Sequence, residues 1–466
     1  MLPTLANAII EQNYTQVLQF LQTNADLNTF DEYGFTPLIE AALVNNFDIA
    51  KILISYGAEV NLQDATGGTP LHWAVDNNNV ELAQLLLEKG ANPNAYTFAG
   101  QPALTMAYLR QQQAMKKLLI DFGANLSFTQ DFVNAKLLGH IFELVGTADI
   151  IDPNNNFVEL DFEGFYLEVT LAMISDSLEQ FKNHFTAREI RRYDHFARLI
   201  VDIIRRASQL SQLQHYQVNL EKNQDVIAKL LSNEPVILPI GYEGHAITFI
   251  KAKNILVKCD RREDSRLYDN IMFYHINQLH AMNLIFMKNL LFEKHSSDYI
   301  NTELDNILGL QPITELKVAA QISGNCSWAN VEATIPALFF LLFSQAPDFQ
   351  KNMSHYKNTA LHFFHQWREW NKTRALNFCI QSFHQADAIR KACKAEILAA
   401  ILYQCCKGQN TQDAERIEAI LQILTQPAYE YILQNYIKTY CFEDISEEGR
   451  QFLRILKQYG YELKRT

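Results

Sequence analysis

The sequence predicts a multidomain α+β protein. Residues 1–128 form a solenoid of helix pairs, 129–345 an α+β domain with a helical insertion, and 346–466 a helical bundle. Three observations carry this. Alanine recurs every 33 residues at Ala25, Ala58, Ala91 and Ala124. After Pro235 the pattern switches to short apolar runs bounded by glycine, as strands require. Beyond residue 346 the apolar spacing is helical almost throughout.

The 466 residues are too many for one core. With 48% hydrophobic and 20% charged residues, the balance is that of a globular protein. The net charge of -12 makes nucleic acid and anionic membrane poor default partners. None of the seven cysteines forms a CxxC pair, so reduced thiols are expected. The N-terminus lacks the basic and apolar regions of a secretory signal. The longest apolar run, ATIPALFFLLF, is about half a bilayer span and contains Pro336, so no membrane insertion is expected. No phosphate loop is present, and His362 with His365 lacks a third ligand, so neither cofactor nor metal is expected.

The repeat has more markers than alanine. Gly57, Gly90 and Gly123 precede the last three alanines, and Thr36-Pro37-Leu38 recurs as Thr69-Pro70-Leu71. Threonine caps a helix N-terminus and proline fits its first turn. Small Ala41, Ala74 and Ala107 allow close helix approach, and glycine takes the left-handed cap. One unit cannot bury its own apolar face, so units stack. This pattern resembles the ankyrin repeat over residues 1 to about 128, in four copies. The first, with Asn24 in place of glycine, suits a capping repeat. The resemblance implies a bound protein partner, with Asp31, Glu32 and Tyr33 and Asp64, Ala65 and Thr66 as candidate contacts.

In the middle segment, FVNAKLLGHIFELVG and YLEVTLAMISDSLEQFKNHF have helical spacing, with IIDPNNNFVELDF as a loop around Pro153-Asn154-Asn155-Asn156. A third helix, from about Ala187 to Leu213, carries Arg188, Arg191, Arg192, Arg198, Arg205 and Arg206. A solvated face balanced by nearby acids is expected there, with a phosphate or acidic-partner site as the alternative. VILPI is a buried strand, and HAITFI with NILVKCD forms a hairpin. The chain then returns to helix near His275.

Cys326 follows the break at Gly324-Asn325 and falls at or just before a helix N-terminus. The helix dipole and free N–H groups there favour a thiolate. A base is then required, and His245 lies at the mouth of the hairpin. With a loop of Lys251 to Asn254, Ile250 pairs with Ile255 and His245 faces Asp260. Glu263 and Asp264 are reserve acids, and Gln321 could donate to an oxyanion.

The order His245, Asp260, Gln321, Cys326 resembles the adenovirus-protease-like cysteine peptidases over roughly 230–345, with papain-like chemistry but the cysteine last. The resemblance implies His245 as general base, Asp260 as its orienter, Gln321 as oxyanion donor and Cys326 as nucleophile. Ala246 stands where many ubiquitin-like-protein peptidases have tryptophan, which bears on substrate class.

Ankyrin repeats ahead of a GNCSWAN segment, with Glu443, Asp444, Glu447 and Glu448 near the C-terminus, resemble the type IV secreted Legionella effectors. That implies delivery into a host cell, to cytoplasm or nucleus. The expected function is a thiol-dependent hydrolase, protease or deubiquitinase-like, acting on a host protein held by the repeats. The alternatives are a non-catalytic adaptor with a pseudo-protease domain, or a thiol-dependent acyltransferase.

Overall fold

The computed structural model describes residues 4–23, 26–214, 220–242, 244–261, 270–322, 324–408, 410–441 and 445–461. Asn24, Ala25, Glu263, Asp264, Glu443 and Asp444 lie outside the described residues. The chain divides into two compact units. One comprises 1–135, 147–161 and 387–393; the other comprises 136–146, 162–386 and 394–466.

The first unit is built from helix pairs: α1 (Leu5–Ile10) with α2 (Tyr14–Gln22), α3 (Pro37–Leu43) with α4 (Phe47–Ser55), α5 (Pro70–Asp76) with α6 (Val80–Glu88), and α7 (Thr105–Leu109) with α8 (Gln113–Asp121). Thr36 Oγ1 accepts the Ile39 N–H, and Pro37 opens α3 as expected. At Thr69 the capping is reciprocal, because its N–H donates to His72 Nδ1 at 3.1 Å. Burial lowers the His72 pKa to about 4, which keeps that ring neutral and able to accept. Ala41, Ala74 and Ala107 are fully buried between helices.

The 33-residue period is also written in the backbone. Gln12, Asn45, Asn78 and Gln111 take left-handed φ of 53, 54, 52 and 55° at the turn inside each pair. In the first three pairs the next residue, Asn13, Asn46 or Asn79, caps the second helix by accepting an N–H three residues on. The first copy therefore keeps the turn of the others despite its divergent sequence.

Residues 147–161 are not the loop expected from sequence. Strands β1 (Thr147–Ile151) and β2 (Phe157–Asp161) pair antiparallel, from Ile151 opposite Phe157 out to Thr147 opposite Asp161. The polar Asn stretch is only the turn, held by Asp152 Oδ1 accepting from the N–H groups of Asn154 and Asn156 at 2.8 Å. The flanking segments are too short and too polar on one face for a conspicuous strand pattern.

After α9 (Leu126–Phe142), the second unit contains α10 (Leu167–Asn183) and α11 (Asp194–Gln212). The third helix expected from Ala187 begins at Asp194, preceded by a 3-10 segment over Phe185–Tyr193. Three of the six arginines named from sequence are balanced by acids: Arg198 bonds Asp194, Arg205 lies 3.4 Å from Asp176, and Arg206 lies 3.1 Å from Asp202.

Following α12 (Gln224–Ser232), five strands form an antiparallel sheet in sequential order: β3 (Val236–Tyr242), β4 (His245–Ala252), β5 (Ile255–Cys259), β6 (Ile271–Ile276) and β7 (Leu310–Leu316). Helices α13 (Leu284–Phe292) and α14 (Leu304–Leu308) intervene between the last two strands. β7 corrects the expectation of continuous helix after His275. It is an edge strand with Pro312 and a largely exposed polar sequence, so it lacks the apolar run that marked its neighbours.

Helix α15 (Cys326–Phe343) packs on β4 and β5. It is long and apolar enough to cross a membrane, but nearly all of it is buried here, which explains why it is apolar on every face. Helices α16 (Met353–Gln385), α17 (Ala388–Cys405), α18 (Thr411–Leu424), α19 (Glu430–Tyr440) and α20 (Glu447–Gln458) complete the chain. Phe363, Phe364, Trp367 and Trp370 are buried, as expected for core.

Candidate active site

Strand β4 is buried from Ile247 to Ala252 and opens at its start, where His245 is half-buried. The β4–β5 loop has two residues, Lys253 and Asn254, with Lys253 at φ 52°. Ala252 therefore pairs with Ile255, and Ile250 pairs with Val257 rather than with Ile255. The expected direct opposition of His245 and Asp260 is thus replaced by a diagonal one, because Asp260, continuing the register, falls opposite Ile247. A shift of two residues preserves the face, and diagonal neighbours about 7–8 Å apart remain within reach of longer side chains. His245 Nε2 lies 3.0 Å from Asp260 Oδ1.

Cys326 is the first residue of α15. Its Sγ accepts the Ala246 N–H at 3.4 Å and is hydrogen-bonded to the His245 side chain. With Nε2 engaged by Asp260, Nδ1 is the ring nitrogen left for the thiol. Burial pushes the Cys326 pKa up, but the His245 hydrogen bond, the Ala246 N–H and the imidazolium charge outweigh it, so the net shift is downward. Burial likewise opposes the charged form of His245, yet its hydrogen bonds to Asp260 and Cys326 raise its pKa to about 8. Cys259, Cys405, Cys406 and Cys441 all shift the other way, upward, because burial dominates. The arrangement favours a thiolate–imidazolium pair, the reactive form of a nucleophilic cysteine.

One residue that sequence reasoning missed holds these parts together. Asn330, one turn after Cys326 and 1% exposed, accepts the Arg261 N–H on Oδ1 at 2.7 Å. Its Nδ2 donates to the Ala246 carbonyl at 2.6 Å. A single amide thus ties the strand bearing His245 and the chain beside Asp260 to the helix bearing Cys326. Its signal in the sequence was a polar side chain within a largely apolar helix.

The Gln321 N–H donates to the Arg261 carbonyl at 2.8 Å, pinning the segment before the cysteine to the end of β5. Its side-chain Oε1 is buried without a hydrogen-bond partner. Asn325 bonds the buried His140 ring, which stacks on Trp328 with 6° between planes.

Behind Asp260 lies a ring of alternating charge. Arg261, fully buried, reaches Glu143 at 2.9 Å and Glu332 at 3.6 Å; Arg368 reaches each of the same two acids at 3.1 Å. Burial raises the Glu332 pKa, whereas at Glu143 the two arginines overcome burial and lower it. Among the described residues, no group of three or more His, Cys, Asp or Glu could hold a metal ion.

Of the expected partner contacts, Asp31, Glu32 and Tyr33 line a cavity formed by the first two repeats, and Ala65 and Thr66 are exposed. Asp64 is a correction. It is 3% exposed and spent inside its own finger, accepting from Thr66, Gly68 and the Trp73 indole, so it is framework and not a contact.

A family model described as ankyrin repeats (3 copies) matches residues 5–97 and again 61–130. Among solved structures, that of the Legionella effector AnkH is similar with a TM-score of 0.85 and 40% identity, covering 99% of this chain and 98% of that one. No curated protein matches the chain.

Proposed function

The chain belongs to the family of the Legionella effector AnkH, and from that premise we propose that it is a secreted effector that acts inside a host cell. In this reading the repeats hold a host protein and the second unit cleaves an amide or isopeptide bond in it by thiol chemistry. Holding the substrate raises its local concentration, so the cleft itself can be weakly selective.

One observation supports hydrolysis above all: Cys326 is hydrogen-bonded to His245, which in turn bonds Asp260, and this contact shifts the thiol pKa downward. The Cys326 thiolate attacks the carbonyl carbon, and the first N–H groups of α15, with the Gln321 amide, receive the oxyanion. Protonated His245 then gives its proton to the leaving amine, the C–N bond breaks and a thioester forms. Water attacks the thioester while His245 takes the water proton, and the thiolate is released with the acid product.

Host-cell lysate treated with the full chain, followed by mass spectrometry of new protein termini and released isopeptide products, tests this. The expected result is a discrete set of products that disappear with Cys326→Ser. A mass increase that appears only when acetyl-CoA is added would make the reaction acyl transfer. Retention of a host protein with no Cys326-dependent product would make the molecule an adaptor.

A further inference from the structure

A cavity of about 590 Å³, lined by residues of the first two repeats, is not used by the thiol chemistry. Phe30, Tyr33 and Phe35 supply aromatic surface to it, and Asp26, Asp31 and Glu32 supply carboxylates. Among the described residues, no lysine, arginine or histidine lines it. Phe30 and Tyr33 are 54% and 65% exposed, so both rings offer apolar surface to a partner.

The charge around it is one-sided. Residues 1–50 contain Glu11, Asp26, Asp31, Glu32, Glu40 and Asp48 and no basic residue at all, which is half of the net charge of -12. Asp31 Oδ1 is occupied by the N–H groups of Tyr33 and Phe35, which shape the finger. Its other oxygen is buried, and the Glu40 carboxyl interacts with Asp31. Glu40 is 3% exposed, and burial first, then Asp31, raises its pKa to about 7. Two carboxyls thus lie together near aromatic faces that attract cations. The volume lies within the range of about 300–1,000 Å³ that ligand sites occupy, enough for several side chains rather than one.

We propose that this cavity docks a segment of the recruited protein in which arginine or lysine is flanked by apolar side chains. This rests on the recruitment reading above and names the chemistry of the partner. The cation meets the exposed carboxylates of Asp26 and Glu32, its stem lies against Tyr33 and Phe30, and the flanking apolar residues fill the remainder.

The test uses the full chain and an octapeptide array whose two central positions are varied over Arg, Lys, Leu, Phe, Ser and Glu. The expected signal concentrates on peptides that pair a cation with Leu or Phe and weakens with added salt. The double variant Asp26→Asn, Glu32→Gln weakens it about tenfold, as does Tyr33→Ala, whose exposed ring is not needed for folding. Equal signal on acidic or serine peptides, no signal on any peptide, or undiminished signal in the variants overturns the proposal. A concentration-dependent dimer lost with Tyr33→Ala would make the occupant a second copy, and also overturns it. A host protein retained at full yield by the variants would remove this site while recruitment stands. Failure of the unaltered chain to retain any host protein would instead remove recruitment.

Discussion

Replacing His245 with alanine slows acylation of Cys326 by a reactive acyl probe about a hundred- to ten-thousand-fold. Without the imidazole, Cys326 loses the hydrogen bond and the charge that outweigh its burial, so its pKa climbs and the thiolate fraction at neutral pH collapses. The Ala246 N–H, which also bonds the sulfur at 3.4 Å, remains and leaves a residual rate. Asn330→Ala lowers the same rate by about a hundredfold with the three side chains intact, because displacement of a reacting group by about 1 Å is enough. The sign of the pH dependence follows from the shifts. His245 is charged below about 8, so turnover needing a protonated imidazole is lost as pH rises through that value. The ion pair's contribution to stability follows the same direction: full below the ordinary histidine pKa of 6.5 and lost through about 8. Rates from pH 5 to 10 for the three chains check the first statement, and urea unfolding over the same range checks the second.

Glu332→Ala destabilises the second unit by about 3–5 kcal/mol, because it strands buried Arg261 and Arg368 against Glu143 alone. Arg261 has no exposure through which solvent could replace the lost carboxylate. It also sits beside Asp260 and donates its N–H to Asn330, so the loss reaches the candidate site. Removing the exposed Lys117–Asp121 pair by Asp121→Ala changes stability by about 0.5 kcal/mol or less. Urea unfolding of the two variants beside the unaltered chain measures the contrast. Equal midpoints for both would show that the buried ring contributes nothing.

The repeat was legible because the same solution is written four times, so a single divergent copy does not hide it. The chemistry-bearing side chains were legible as types: His245 at a strand mouth, an acid after the next strand, and Cys326 after Gly324-Asn325. Their faces were legible too, since alternation in a strand fixes parity. The register was not, because it depends on a loop whose two residues, Lys253-Asn254, carry no glycine to mark them. Asn330 escaped notice because its partners are backbone atoms of residues 246 and 261, which no side-chain pattern announces. The charge ring draws on Glu143, Arg261, Glu332 and Arg368, far apart in sequence and brought together only by tertiary packing. Strands β1, β2 and β7 were hidden by polar sequence, since their pairing is made by backbone groups.

All the proposed chemistry depends on Cys326 being a thiolate held by His245. The direct measurement is the rate of Cys326 alkylation by iodoacetamide against pH, followed by mass at that residue in the full chain and in His245→Ala. The expected curve for the full chain has its midpoint clearly below the free-thiol value of 9, and the substitution moves it upward. A midpoint at or above 9 that His245→Ala leaves unmoved would contradict the account, and Cys326 would then be one more buried thiol in the core.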